Sequence, residues 1–414
     1  MSQPKIDVNE RLPLVKMLPL GLQHLFAMFG ATVLVPLLTG LPPSVALFTS
    51  GTGTLLFILV TQGRVPAYLG SSFAFIAPII AISSVWGIAY AMGGAIVVGL
   101  IYILVSLLIS QIGTGWIDRV LPPVVIGSVI VVIGLGLAGV GVDMAGLAGD
   151  DVTFANPNVR ISLFTLAVTV AASVFLKGFF AVIPILIGIF AGYIFAVLQG
   201  AVDFSTVQEA SVLGLPEFTA PRFSLAAIAM MAPVALVTIA EHLGDVMVIS
   251  RVVGKDFFKK PGLHRTLLGD GLATAWAGFF GGPPNTTYGE NVGVMAISRV
   301  YSVWVIGTAA CLAVILSFFQ QFGALVSTIP VPVMGGVSIV LFGVIASSGI
   351  RTLVESGIDF SAKRNLIISS VILVLGIGGA RLAVGSFELH GMALATVVGI
   401  ILNLVLPAES SSDV

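Results

Sequence analysis

Residues 283–298 read PPNTTYGENVGVMAIS, and this stretch decides how the rest of the chain is understood. It lies within long apolar sequence, yet its residues are wrong for an unbroken membrane helix. Pro283 and Pro284 have no backbone N–H to give to a helix or a strand ladder. Thr286, Thr287 and Tyr288 favour extended backbone. Gly289 and Gly293 let the chain turn and let a ligand approach bare main chain. Between them stands Glu290, a carboxylate at a depth where charge costs about 2.5–3.5 kcal/mol. Broken backbone survives in a membrane only where protein buries it or where it lines a cavity. The stretch is therefore expected to form a binding site inside a bilayer.

The composition agrees. The 414 residues are 57% hydrophobic and only 9% charged, with a mean hydropathy of +1.12. A soluble domain carries about 25% charged residues, so most of this surface is expected to face lipid. An all-α polytopic membrane protein follows. A net charge of -1 without a basic run gives no sign of nucleic-acid binding. Cys311 is alone, which excludes an intrachain disulfide or a Cys-based metal site; it is expected to be a small buried hydrophobe. The N-terminus lacks a signal peptide's apolar stretch, so the first span is expected to be the insertion signal. Metal-ligand spacing, a phosphate loop and a nucleophile elbow are all missing, which points away from a cofactor and from an enzyme.

Working outward, the apolar segments are 17–38, 44–61, 66–80, 88–110, 121–141, 160–176, 179–199, 224–247, 266–281, 284–297, 300–320, 328–348, 364–380 and 389–406. The third and tenth begin with proline and glycine and suit a short strand followed by a half-helix. Lys and Arg gather in cytoplasmic loops. If all fourteen segments cross and the N-terminus is inside, only Arg160, Arg222 and Arg381 of the 18 basic residues fall outside. Were 66–80 merely to dip in and return, the cluster from Arg251 to Arg265 would fall outside instead. Were 284–297 to do so, Arg351, Lys363 and Arg364 would. Loops 142–159 and 200–222, with Asp143, Asp150, Asp151, Asp203, Glu209 and Glu217, belong outside.

Fourteen divides into sevens. Met17-Leu18-Pro19 leading to Gly30 resembles Met231-Ala232-Pro233 leading to Gly244. Pro123 to Gly134 resembles Pro332 to Gly343, and Pro66 to Ile76 resembles Pro284 to Val294. Seven is odd, so the second half is expected to be inverted. Paired interruptions in an inverted repeat mark a midplane site.

Three acids are expected within the bilayer. Glu241 and Asp245 are one helical turn apart, and Glu290 is in the broken segment. Each is either a polar contact between helices or part of an ion or substrate path; Asp245 is the one that also suits a position near the inner surface. An acid that gains and loses a proton is a natural coupling device. Carboxylates accept hydrogen bonds, while the N–H groups of Gly289 and of the Ser72–Phe73 break donate them. A flat ligand with alternating N–H and C=O edges suits both. Phe73, Tyr288 and Phe342 are either stacking partners for it or plain packing. Gln23 and His24 are expected to tie two spans together, and Asn291 to fix backbone geometry. His242 points away from Glu241, Asp270 reads as a cap or interface charge, and His264 and His390 read as loop residues.

At these residues the chain resembles the nucleobase–ascorbate transporter family, also called nucleobase–cation symporters type two. The family signature is met by Glu290-Asn291-x-Gly293-x4-Ser298-Arg299, with Ser298 in place of the usual Thr. The family's Gln-His pair is met by Gln23-His24. AEHLG around Glu241 and TYGEN around Glu290 are similar to the bacterial uracil permease branch. The likeness runs from about Arg11 to Leu406.

The resemblance implies fourteen segments in a seven-plus-seven inverted repeat, with short strands in segments three and ten. It implies a core of spans 1–4 and 8–11 and a gate of spans 5–7 and 12–14. In chain order, 1–141 then holds spans 1–4 and gate span 5, and 142–223 gate spans 6–7. Core spans 8–11 fill 224–320, gate spans 12–14 fill 321–406, and 407–414 is a tail. Glu241 and Glu290 would hydrogen-bond uracil, and the N–H groups of Phe73 and Gly289 would donate to its carbonyls. Ala31, Tyr288 and Phe342 would pack on its ring. The resemblance also implies proton symport, through Glu290, Glu241 and Asp245, with the proton as coupling ion. It implies a homodimer through the gate in a bacterial cytoplasmic membrane, both termini inside. Some close relatives carry His where this chain has Asp245 and Tyr where it has Phe342, which leaves the proton relay and the substrate range open. A xanthine or urate carrier is the nearest alternative, and an anion exchanger of related architecture a more distant one.

Overall fold

The computed structural model describes residues 6–149, 152–384 and 387–407. Its helices begin where the sequence punctuates. α1 (Leu14–Thr39) ends at Gly40, whose φ of 74° suits glycine, and α2 (Pro43–Val60) starts on a proline. Strand β1 (Leu69–Ser71) leads through a tight turn at Phe73–Phe75 into α3 (Ile76–Trp86) and then α4 (Ile88–Ile112). Prolines also open α5 (Pro123–Gly136), α6 (Pro157–Phe175) and α7 (Pro184–Leu198). α8 (Val234–Val253) and α9 (Leu263–Phe279) precede strand β2 (Asn285–Thr287), which runs into α10 (Gly289–Ser298). α11 (Val303–Ser317), α12 (Val331–Glu355) and α13 (Lys363–Ile377) follow. Strands β3 (Arg381–Val384) and β4 (Phe387–His390) then precede α14 (Gly391–Val405).

Among the described residues, seven helices are long and apolar enough to cross a membrane. An eighth arises if α11 is counted with Gln320–Ser327, to which it bends by 86°. The turn around Phe73 with α3, α7 and α14 are shorter apolar helices.

The structure departs from the sequence reading in several places. The eleventh segment stops at Ser317, because Gln320 turns aside to donate from Nε2 to the carbonyls of Gly214 (3.1 Å) and Leu215 (3.0 Å). α12 runs past 348 to Glu355, so Arg351 is a helix residue and not a loop residue. The antiparallel pairing of β3 with β4 was not expected. Cys311 is exposed on the flank of α11 rather than buried; a lipid-facing flank is apolar too, so hydrophobic character alone does not tell the two apart.

Helices pack closely where glycine permits. A Cβ added to Gly99 of α4 would lie 2.5 Å from the Gly271 carbonyl of α9. One added to Gly134 of α5 would lie 2.4 Å from the Phe342 carbonyl of α12. Small residues at such crossings let backbones approach. α9 packs on α2 and α4, and α11 on α1 and α2. Separately, α12 packs on α5 and α6, α6 on α7, and α13 on α5 and α14. α8 bridges the two sets by touching α5 and α14.

At the centre β1 and β2 pair antiparallel, with Leu69 opposite Thr287, Gly70 opposite Thr286 and Ser71 opposite Asn285. The ladder is extended by Ser72 N–H to the Pro284 carbonyl and Tyr288 N–H to the Tyr68 carbonyl, both 2.9 Å. Only three residues long per strand, the pair leaves edges that neighbouring helices satisfy. Thr54 Oγ1 accepts from Leu69 N–H (2.9 Å), Ser50 Oγ donates to the Leu69 carbonyl (2.7 Å), and Thr274 Oγ1 to that of Asn285 (3.1 Å). Unmet backbone groups at this depth would cost several kcal/mol each.

Tyr288 locks the pair. Its hydroxyl donates to the Ser71 carbonyl (3.1 Å) and receives the Thr32 hydroxyl (3.2 Å), and its ring covers Gly70. A Cβ on Gly70 would lie 2.5 Å from that ring. Gly70→Ala is thus expected to overpack the strand crossing and cost about 1–3 kcal/mol. A thermal unfolding scan of the purified protein should show a clear drop; an unchanged midpoint would contradict this packing.

Candidate functional site

The site is built from the ends of broken elements. β2 hands the chain directly to α10 at Gly289, and β1 hands it to the turn at Phe73. Neither helical start has a side-chain cap. First-turn N–H groups of a helix lack intrahelical partners and carry the positive end of its dipole. Both starts line a cavity of about 420 Å³. The rest of the lining includes Glu241, Asp245, Val248 and Val252 of α8, and Thr286, Thr287 and Tyr288 around β2. Glu290, Val292, Gly293 and Ala296 come from α10, Ile130 from α5, and Val344, Ile345, Ser347, Ser348 and Arg351 from α12.

The cavity thus joins all three expected acids. Glu241 and Asp245 share one face of α8 at i and i+4, and Glu290 faces them from the first turn of α10. Each keeps part of its surface open to the cavity. Glu241 is steadied by Thr286, whose hydroxyl donates to Oε2 at 3.2 Å. Gly289 and Gly293 are exposed, and a Cβ on either would meet no atom within 4 Å. That face of α10 is bare backbone, and the side chains beside it are acceptors.

Two expected ring partners are elsewhere. Phe342 is buried and stands edge-on behind Phe73, with centroids 5.8 Å apart and planes at 83°. It supports Phe73 and does not line the cavity. Ala31 is buried within α1 and does not line it either. Tyr288 lines it, but its hydroxyl is committed to Ser71 and Thr32.

The surrounding polar residues hold elements in place. Asn291 Nδ2 donates to the His24 carbonyl (3.1 Å) and lies 3.1 Å from His24 Nδ1, fixing α10 to α1. Asp270 is not a cap or an interface charge. It is fully buried within α9, 2.9 Å from His242 Nδ1, whose Nε2 lies 3.0 Å from Thr266 Oγ1. His242 lies about a quarter-turn round α8 from the cavity-lining face and does not line the cavity, so this pair clamps α8 to α9 while Glu241 faces the open side. His264 opens α9 and is not in a loop; His390 ends β4. Sequence reasoning missed Asp270 and Arg351. A carboxylate within the small-residue run GDGLATA was the signal for the first.

A membrane-embedded helical fold with a central cavity of acids and helix starts defines a membrane transport protein. The profile of the permease family, labelled Xan_ur_permease, matches residues 15–385, and the chain belongs to that family. It is 52% identical to the uracil permease of Bacillus subtilis (strain 168) over 420 residues, covering 98% of this chain and 97% of the relative. It is 50% identical to the uracil permease of Escherichia coli (strain K12) over 406 residues, covering 98% and 94%. In fold it is similar to murine Slc26a9, an anion transporter in the inward-facing state, with a TM-score of 0.73, 13% identity and coverage of 96% of this chain and 69% of that one. The transmembrane domain of the cyanobacterial bicarbonate transporter BicA has a TM-score of 0.63, 15% identity and coverage of 96% and 98%.

Proposed function

We propose that this chain imports uracil across the bacterial cytoplasmic membrane together with protons. The observation that carries the reading is the juxtaposition of Glu241 and Glu290 with the open N–H groups of Gly289 and Phe73 around one cavity. Uracil is planar and presents N–H and C=O edges in alternation. Its N–H groups donate to the two carboxylates and its carbonyls accept from the helix starts, with Phe73 along the ring. Relatives at about half identity over nearly their whole length bear the name uracil permease, which supports uracil over a purine. An anion exchanger is disfavoured although the fold is similar to anion carriers, because three acids in the cavity repel an anion.

The proposed architecture is fourteen segments, seven plus seven inverted. Leu69 pairs with Thr287, and the two are 218 positions apart (287 − 69), the same offset that relates Pro66 to Pro284. Self-pairing of equivalent positions is what a local twofold through the strands produces. The packing is balanced in the same way, since α9 on α4 mirrors α2 on α11, and α6 on α7 mirrors α13 on α14. α1–α4 and α8–α11 form the moving core, and α5–α7 and α12–α14 the gate, in alternating access. Both termini are cytoplasmic, and the gate carries a homodimer contact. Glu290, Glu241 and Asp245 hold the coupling proton, and no other cofactor is required.

Purified protein in liposomes tests this. Labelled uracil is expected to accumulate against its gradient when the outside is acid, and an uncoupler should abolish accumulation. Unlabelled uracil should compete and xanthine or urate should not. Equal competition by xanthine would overturn the assignment of substrate. Gly293→Ala adds a methyl that clashes with nothing and projects into the cavity. It is expected to stabilise α10 by about 0.5–1 kcal/mol while weakening uracil binding. Tm and Kd measured on one sample should therefore both rise, and a lower Kd would contradict the placement.

A further inference from the structure

Arg351 lines the cavity from α12, across from Glu241 and Asp245 on α8 and Glu290 on α10. It is the one basic residue in that lining, and it makes no ion pair among the described residues. One turn further along α12, Glu355 pairs with Arg251 of α8, their side chains 42% and 43% exposed. Towards this end α8 therefore reads acid then base, and α12 reads base then acid. Measured back from the Arg251–Glu355 pair at 1.5 Å per residue, Arg351 lies about 6 Å along α12 and Asp245 about 9 Å along α8. In the present register Arg251 and Glu355 are paired, while Arg351 and Asp245 line the same cavity about 3 Å apart along the helix axes without forming an ion pair.

We propose that Arg351 is the residue that discharges the carrier on this side: its fixed positive charge stabilises the vacated carboxylates of Asp245 and Glu290, so that proton and base leave together. Arg is the residue suited to this, because its guanidinium stays charged whatever the pH. Sliding α8 away from this end by about one turn, 5.4 Å, reverses the situation. Arg251 then comes level with Arg351, Glu355 loses its partner, and the acids stand clear of the cation. They can bind a proton there. The ladder of Asp245, Arg251, Arg351 and Glu355 thus gives the two sides of the cycle different proton affinities. The inference rests on the proton-coupled reading of this cavity.

The test uses the full chain in liposomes, as wild type, Arg351→Gln and Arg351→Lys. Net uptake of labelled uracil into empty liposomes requires proton release inside; counterflow against internal unlabelled uracil does not. Arg351→Gln is expected to lose about tenfold in net uptake, to recover as the internal pH is raised, and to retain counterflow. Arg351→Lys is expected to restore net uptake at the original internal pH. Arg351→Gln with undiminished net uptake would overturn the proposal. So would an equal loss of net uptake and counterflow, because a structural defect lowers both. A wild-type protein without pH-driven uptake would instead refute the transport reading itself.

Discussion

Glu241→Ala is expected to raise the Kd for uracil by about 10- to 100-fold, the range that follows from losing a hydrogen bond to a charged group, about 1.5–3 kcal/mol. The variant removes an acceptor from the middle of the cavity while leaving its scaffold intact. Glu241 belongs to a face of α8 separate from His242, whose contact with Asp270 fixes that helix to α9. Thr286 loses its acceptor, but β2 is still held by the ladder to β1 and by Thr274. The protein should therefore fold and insert normally. Titration of the detergent-purified variant with uracil measures the effect, with Tm as the control for folding. Retained wild-type affinity would show that Glu241 faces the cavity without touching the substrate.

Glu290→Gln is expected to separate transport from its driving force. Gln has nearly the shape of the protonated acid but cannot give up a proton. Each proton carried inward across one pH unit is worth about 1.4 kcal/mol, or a tenfold concentration ratio. Wild-type liposomes should hold about tenfold more uracil inside per pH unit and per proton; the variant should stop near equality. Counterflow of labelled uracil should continue, because exchange needs only a cavity that binds and reorients. The position explains why this acid and not a loop acid is expected to couple. Glu290 sits in the first turn of α10, on the same strand-to-helix junction as the bare backbone of Gly289. A change in its charge is felt where the substrate is proposed to lie. Unchanged accumulation by Glu290→Gln would assign coupling to Glu241 or Asp245.

Much of this site was legible because its residues are costly where they stand. Two prolines, two glycines and an acid within PPNTTYGENVG have no place in a plain membrane helix, so their presence marked a break. The partner break around Ser72 was legible through its offset from the first. Which side chains face inward was not legible, because apolar sequence carries no label for lipid, core or cavity. Phe342 read as a ring partner or as packing, and it stands edge-on behind Phe73; Cys311 looked buried and is exposed. Asp270 was hidden for another reason: its partner His242 is in a different helix, and only the fold brings them to 2.9 Å. Arg351 was counted with the inner loops because basic residues usually end spans. α12 simply continues, and so carries it along the cavity wall.

The most direct test is an experimental structure of the chain with uracil bound. The account predicts density for one planar ring beside Phe73, with a carboxylate oxygen of Glu241 and one of Glu290 at hydrogen-bond distance from its edge, and the first N–H groups of α10 turned toward a carbonyl. Density in any other place, or a ring that leaves both acids unbonded, would contradict it.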